Sequence, residues 1–323
     1  MLFLHNSTVR QLHGSRLRIV CTVPKSLSIT NTVSSVANMA SELSSKTIAF
    51  IGGGNMGAAI ISGLAAKGID KKNIIVAEPW DVNRKKMDDL GVRTTTNNVE
   101  ASSGADIIIL AIKPQVAKTV CQELAASAFF GKSLPLVISI AAGVTAASLK
   151  DWCKTKEGKS PAIVRVMPNT PALLGEGASG LYASDEVSKE QKDQASALLG
   201  SVSQASEWVD KEELLDVVTG LSGSGPAYFF AMVEHLVASA TKLGLSEEVA
   251  TRLATQTCLG AGKMLVQSSE PPSQLRKNVT SPNGTTQAAL ESFEASGFAA
   301  IVDKAVKAAT DRGEELGRTL GAQ

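Results

Sequence analysis

Two patterns of apolar positions divide the chain. As far as about residue 210, short apolar runs alternate with amphipathic stretches; beyond it the period lengthens to that of helices, with few strand signals. The runs at 47–51, 74–77, 91–96, 105–112, 134–140 and 162–167 predict strands, and Ile107-Ile108-Ile109-Leu110 is apolar without a break. Unbroken apolarity marks a strand covered on both faces, the habit of a parallel sheet buried under helices. Helices are expected after Gly57, around Arg84 to Lys86, over 99–103 and over 146–152. This alternation predicts an α/β fold with a doubly wound parallel sheet to about residue 170, extended by short runs at 180–183 and 207–209.

The second half reads as helical throughout. Residues 227–243 carry Tyr228, Phe229, Phe230, Met232, Val233, Leu236 and Val237, apolar over most of a helical circumference, and Gly244 ends the run. Ser246 caps a second helix to about residue 266, a Pro271-Pro272 break follows, then a short helix over 273–279 and a last polar turn feeding a helix over 287–294. Two largely apolar helices in so small a unit leave surface to be covered, and an interlocked homodimer covers it. Residues 220–226 read as a glycine-serine turn with Pro226 at a helix start. No strand precedes that turn and no Gly-Lys-Ser/Thr ending follows it, so close helix packing explains it better than a second phosphate cradle. The expected organisation is an N-terminal extension over 1–45, a dinucleotide-binding unit over 46–210 and an all-α unit over 211–323.

The candidate chemistry of the front half begins where the first strand ends. Gly52, Gly54 and Gly57 fit G-x-G-x-x-G between a strand and a helix: a sharp turn, close approach of backbone to a pyrophosphate, and tight packing of helix on strand. This is the fingerprint of a Rossmann dinucleotide-binding sheet, in which the N–H groups at the helix start hold the phosphates. Glu78, about 20 residues on, stands where an adenosine ribose binds and can accept from a 2′-hydroxyl, which favours NADH. Arg84, Lys85 and Lys86 follow closely, either to clamp a 2′-phosphate or simply to face solvent, so NADPH or NADH stays open. Asn98 is a candidate adenosine contact. The backbone of Ala111, Ile112, Lys113 and Pro114, at the end of the fourth strand, is expected to face the ribose-nicotinamide half. Ala141, Ala142 and Gly143, at the end of the fifth, are small enough for a flat ring or for a tightly packed helix.

Composition narrows the function classes. Lys and Arg number 32 against 31 Asp and Glu in 323 residues, a balance with no general attraction for nucleic acid or an anionic membrane. No run reaches the length of a membrane span. Cys21, Cys121, Cys153 and Cys258 show neither zinc nor disulfide spacing and are expected reduced and mostly buried, and no metal site is expected. Histidine is scarce: His5 and His13 lie near the start, and His235 sits mid-helix with a core or interface role. Residues 1–45 are rich in Ser and Thr with scattered Arg. They suit a mitochondrial transit segment or an over-extended N-terminus ahead of a start at Met39, which leaves cytoplasmic and mitochondrial destinations both open.

The polar turn Thr280-Ser281-Pro282-Asn283-Gly284-Thr285-Thr286 offers free N–H groups at a helix start together with hydroxyls. Such a turn suits a small carboxylate with one more polar atom beside it, or serves as a plain N-cap. With this turn and the glycine turn both in view, the chain closely resembles the pyrroline-5-carboxylate reductases over about residues 46–320. The resemblance rests on residues 50–57, 111–114, 141–145, 167–171, 220–228 and, most specifically, 275–290. It implies NAD(P)H-dependent reduction of 1-pyrroline-5-carboxylate, the last step of proline synthesis, by a Rossmann domain joined to an all-α dimerisation domain, with homodimers often assembled into rings of dimers. It also implies that Gly52, Gly54, Asn55, Met56, Gly57, Asn98, residues 111–114 and Asn278 contact cofactor, that Ser281, Gly284, Thr285 and Thr286 hold substrate, and that Thr286 is catalytic. On this view the carboxylate sits on N–H groups near Gly284 and Thr285 with Ser281, and the Thr286 hydroxyl bonds the imine nitrogen. A substrate that arrives protonated needs no strong acid from the protein, which agrees with the scarcity of histidine. A reductase of a related ring imine, methylated or six-membered, is the alternative. A β-hydroxyacid dehydrogenase would need a catalytic lysine, and neither Lys242 nor Lys263 has a fitting setting; a non-catalytic nucleotide sensor would not need the 281–286 loop.

Overall fold

A computed structural model describes residues 42–127 and 134–321. Expectations for residues 1–41, including the transit reading, Cys21, His5 and His13, lie outside the described residues. Leu43, grouped with the extension by its neighbours' composition, is fully buried in the core.

The strands are β1 (Ile48–Ile51), β2 (Ile74–Ala77), β3 (Arg93–Thr95), β4 (Ile107–Leu110), β5 (Leu136–Ser139), β6 (Ile163–Met167), β7 (Gly177–Ala183) and β8 (Ser203–Trp208), in the order β3-β2-β1-β4-β5-β6-β7-β8. Between them run α1 (Asn55–Ala66), α2 (Asp81–Asp89), α3 (Asn98–Ser102), α4 (Pro114–Ala126), α5 (Ala146–Trp152) and α6 (Lys189–Leu199). The two-residue period of a strand sorts each apolar run onto two faces. Ile48, Phe50, Ile107 and Ile109 pack with Ile60, Ile61 and Leu64 of α1, while Ala49, Ile51, Ile108 and Leu110 pack with Cys121, Leu124, Leu149 and Trp152 of α4 and α5. Burying each large side chain contributes roughly 1.5–3 kcal/mol, which is why these runs carry no polar residue. Cys121 and Cys153 are free and buried, Cys258 is half-buried, and the Cys153 thiol is pushed well up in pKa by its hydrogen bond with Cys121 and by burial.

The sheet departs from an all-parallel one at its far side. Strands β1 to β6 run parallel, but β7 runs antiparallel to β6, with Met167 opposite Gly180, and β8 runs parallel to β7. The cause is the connection: residues 168–176 hold only a short 3-10 turn (Thr170–Leu174), too little chain for the helical crossover that a parallel pair requires.

Beyond the sheet come α7 (Leu214–Val218), α8 (Gly225–Lys242), α9 (Glu247–Gln267), α10 (Pro272–Asn278), α11 (Thr285–Ala295) and α12 (Phe298–Gly321). The turn expected over 220–226 is instead a π-helical segment, Thr219–Gly223, that carries α7 almost directly into α8. Its glycines serve close approach. A Cβ on Gly220 would lie 2.5 Å from Thr310 Oγ1 and 2.8 Å from the Val306 carbonyl of α12, and one on Gly223 would lie 2.5 Å from Met167 Cε. The Tyr228 hydroxyl donates to the Gly220 carbonyl at 2.8 Å, closing the widened turn. Along α8 and α9, Phe229, Phe230 (69% exposed), Leu253, Leu259 and Val266 (82% exposed) face outward in the single chain, the uncovered surface that the sequence predicts. His235 is exposed on the same helix, which removes the core reading and keeps the interface one. No helix among the described residues is long and apolar enough to cross a membrane.

The sheet and the helices are joined by polar side chains. Arg165 of β6 pairs with Glu212 at 2.7 Å, and the same Glu212 oxygen accepts from the Ala146 N–H at 2.6 Å. Asn169 donates to the Ser222 carbonyl at 3.1 Å and accepts from the Ala178 N–H at 2.9 Å. Asp216 lies beside this joint, its pKa raised by burial, with Glu314 and Glu212 adding to the shift and Arg165 opposing it. A carboxyl whose folded pKa exceeds its unfolded value binds protons more readily in the native state, so its stability contribution is lost as pH rises through that range. Asp216→Asn is therefore expected to raise the melting temperature at pH 7, with the gain vanishing below about pH 4, where the aspartate is protonated in both states. Thermal scans across pH that return a constant difference would contradict this account.

Candidate active site

The registers Ile51↔Ala77, Ile51↔Leu110 and Leu110↔Ser139 bring the last residues of β1, β2, β4 and β5 to one level. Residues 52–54, 78–80, 111–113 and 140–143 therefore leave the sheet together at its carboxyl edge. The chain order reverses between β1 and β4, and there the connections depart to opposite sides and open a crevice.

The glycine turn fits a dinucleotide pyrophosphate by its geometry. Gly52 has φ +101°, and a Cβ there would lie 2.4 Å from the Ala111 carbonyl oxygen. Its N–H donates to the Ala77 carbonyl at 2.8 Å, tying the turn to β2. A Cβ on Gly57 would come within 3.0 Å of the Gly52 carbonyl, so glycine is what seats α1 against the turn. Gly54 differs, because a Cβ there would meet nothing within 4 Å. It is the N-cap of α1 without a side-chain hydrogen bond, which leaves the first N–H groups of the helix facing open space. Asn55 is exposed, whereas the Met56 side chain leans on the core and leaves only its backbone for a ligand.

The other expected cofactor residues divide. Residues 111–114 and 141–143 border the crevice: the Ala111 N–H donates to the Ile51 carbonyl at 2.8 Å, Pro114 begins α4, and Gly143, at φ +76°, approaches Gly317 of α12. Glu78 is held in place rather than freely exposed: it is only 6% exposed, and each oxygen already accepts one N–H, Oε2 from Gly53 at 2.8 Å and Oε1 from Trp80 at 3.0 Å, which leaves each oxygen a further lone pair. Arg84 donates to the carbonyls of Glu78 and Pro79 and pairs with Asp81, so neither the phosphate-clamp nor the purely solvated reading describes it. The Asn98 amide donates to Glu123 of α4 at 2.8 Å. Asn278 likewise has local partners, donating to Glu270 at 2.8 Å and accepting from Gln274 at 2.7 Å.

The polar turn is built to leave a helix start open. Gly284 is the N-cap of α11, with extended backbone and no side-chain hydrogen bond, and its N–H donates to the Ser281 carbonyl at 3.0 Å. A Cβ at 284 would itself lie 3.0 Å from that carbonyl, so only glycine closes the loop without displacement. Asn283 adopts φ +56°, and its N–H is held by the Gln287 side chain at 2.8 Å. Thr285 and Thr286 occupy the first two helical positions; Ser281 and Thr285 are exposed, and Thr286 is half-buried. The front crevice and the rear turn are thus each a glycine-capped helix start.

Sequence reasoning missed the joint of Arg165, Glu212 and Asn169. A charged residue inside the apolar run Ile163-Val164-Arg165-Val166 was the available signal, since burial of a guanidinium demands a partner.

Comparison with known proteins agrees with this architecture. Residues 212–316 match the model of the family described as pyrroline-5-carboxylate reductase dimerisation, and residues 47–143 match that of NADP oxidoreductase coenzyme F420-dependent. The pyrroline-5-carboxylate reductase of Pseudomonas aeruginosa is 47% identical over 280 residues, 86% of this chain and 100% of that protein. A solved pyrroline-5-carboxylate reductase from Coxiella burnetii superposes with a TM-score of 0.78 at 40% identity, covering 84% of this chain and 98% of the other. The Plasmodium falciparum pyrroline carboxylate reductase, solved with NADP bound, gives 0.72 at 31% identity over 85% of this chain and 99% of its own.

Proposed function

The chain belongs to the pyrroline-5-carboxylate reductase family, and from that premise we propose how its two open helix starts divide the work of reducing 1-pyrroline-5-carboxylate to L-proline. It is an NAD(P)H-dependent oxidoreductase acting on a C=N bond. The backbone of residues 52–57 holds the pyrophosphate, and residues 111–114 with 141–143 border the nicotinamide half. When bound, the reduced nicotinamide supplies the hydride. The N–H groups after Gly284, with Ser281, hold the substrate carboxylate, and the Thr286 hydroxyl bonds the imine nitrogen, which fixes the face that C5 presents. The observation that carries this assignment is the uncapped start of α11: a glycine N-cap leaves N–H groups and two threonine hydroxyls without a competing side-chain cap.

Residues 46–210 act as the cofactor unit and 211–323 as the dimerisation and substrate unit. The uncovered faces of α8 and α9 support a homodimer closed through them, with a ring of dimers as the larger assembly. Loop 281–286 meets the crevice of its own subunit or of its neighbour, and a sedimentation experiment that finds only monomers would remove the second route. Loss of NADPH or NADH absorbance, followed with pyrroline-5-carboxylate, its methylated analogue and the six-membered ring side by side, tests the activity. Turnover is expected to be fastest with the first, and faster turnover of either analogue would reassign the substrate.

A further inference from the structure

Resting on that cofactor assignment, we propose that the corner between β2 and α2 selects a cofactor whose adenosine ribose carries a free 2′-hydroxyl, NADH, over its 2′-phosphorylated counterpart. In an open sheet of this order the ribose lies against the carboxyl end of β2. Here that end is Glu78, and its surroundings fix its position.

Glu78 accepts a backbone N–H on each oxygen, the binding mode of a carboxylate. One of those donors, Gly53, belongs to the glycine turn itself, so the negative charge is bolted to the phosphate-binding loop. It has no room to swing aside. A Cβ on Gly53 would lie 3.3 Å from Glu78 Cβ and Cγ and 3.0 Å from Met87 Cγ, which shows how tightly the side chain is wedged beneath the turn. A 2′-phosphate placed beside it would meet a like charge that can neither rotate away nor be solvated.

The cations that would offset this repulsion are committed elsewhere. Arg84 Nη1 donates to the Glu78 carbonyl at 3.1 Å and the Pro79 carbonyl at 3.3 Å, while Nη2 pairs with Asp81. Lys85 reaches Asp89 at 3.3 Å, and Lys86 belongs to the last turn of α2, away from its start. Arg93 begins β3, opposite Ile75, and so lies toward the amino edge of the sheet, away from the crevice. The side chains at the corner are therefore Glu78 and Asp81 against one guanidinium held to the corner's own carbonyls and to Asp81. That balance suits a diol, which needs acceptors, and opposes a phosphate, which needs open donors.

Dissociation constants measured calorimetrically on the full chain test this without turnover, using NADH, NADPH, ADP-ribose and 2′-phospho-ADP-ribose. The unphosphorylated member of each pair is expected to bind about tenfold tighter or more. Asp81→Asn, which leaves Glu78 in place and frees Arg84 Nη2, is expected to strengthen binding of the phosphorylated members selectively. Glu78→Gln keeps an acceptor for Gly53 and removes the charge, and it is expected to narrow the ratio further. Equal or tighter binding of the phosphorylated members by the unmutated protein overturns the selection. Turnover of pyrroline-5-carboxylate with NADPH but not NADH would do the same while leaving the activity standing, whereas NADH binding without turnover of any ring imine would leave the selection standing and overturn the activity.

Discussion

Replacing Thr286 with alanine is expected to lower kcat with pyrroline-5-carboxylate about 10²-fold, through loss of the hydroxyl that orients the imine. The fold should be indifferent to the change. Thr286 is the second residue of α11 and half-buried, and alanine is a better helix former than threonine by a few tenths of a kcal/mol. Cofactor affinity should be equally indifferent, because the proposed pyrophosphate site is the backbone of residues 52–57, which the substitution leaves untouched. The expected signature is thus a large fall in kcat at an unchanged dissociation constant for NADH or NADPH and an unchanged melting temperature. Thr286→Ser, which keeps the hydroxyl at the same helical position, should recover most of the loss. An alanine variant with normal kcat would remove Thr286 from the mechanism and leave only the N–H groups of the loop as substrate contacts.

What could be read from the sequence was what depends on local chemistry. The apolar runs placed the strands because burial on both faces leaves little room for polar residues, and the glycines at 52 and 57 specified a turn and a close helix approach that a side chain would block. What could not be read depends on partners distant along the chain. The reversal of β7 follows from the brevity of residues 168–176, which matters only once β7 is known to pair with β6. The π-helical segment at Thr219–Gly223 looks like a turn by composition, and only the approach of Val306 and Thr310 shows why glycines sit inside a helix. Glu78 was located but its orientation was not: an acid at the end of β2 reads as a freely exposed side chain until the N–H groups of Gly53 and Trp80 show it pinned beneath the turn. Asn278 differs, because its partners Glu270 and Gln274 lie within its own stretch of chain and only the folded geometry shows that they take its amide.

Gly52 and Gly54, two of the three consecutive glycines of the front turn, should fail in different ways, and the contrast tests the geometry. At Gly52 the backbone has φ +101°, and an added Cβ would lie 2.4 Å from the Ala111 carbonyl oxygen and 2.9 Å from its carbon. Ala111 cannot retreat freely, because its N–H is bonded to the Ile51 carbonyl at 2.8 Å and its strand is paired on both sides. Gly52→Ala is therefore expected to cost about 2–5 kcal/mol of stability, from backbone strain and overpacking together. Cofactor binding should be lost along with it, since the loop that must move is the one proposed to hold the pyrophosphate. At Gly54 the backbone, with φ −69° and ψ −178°, is open to any residue, and an added Cβ meets no protein atom within 4 Å. Gly54→Ala should fold with an unchanged melting temperature, yet its methyl group occupies the space at the start of α1 where the pyrophosphate must approach, and cofactor affinity should fall about tenfold or more. Normal cofactor binding in folded Gly54→Ala would place the phosphates away from α1 and remove the front half of the assembled site, whatever Gly52→Ala does.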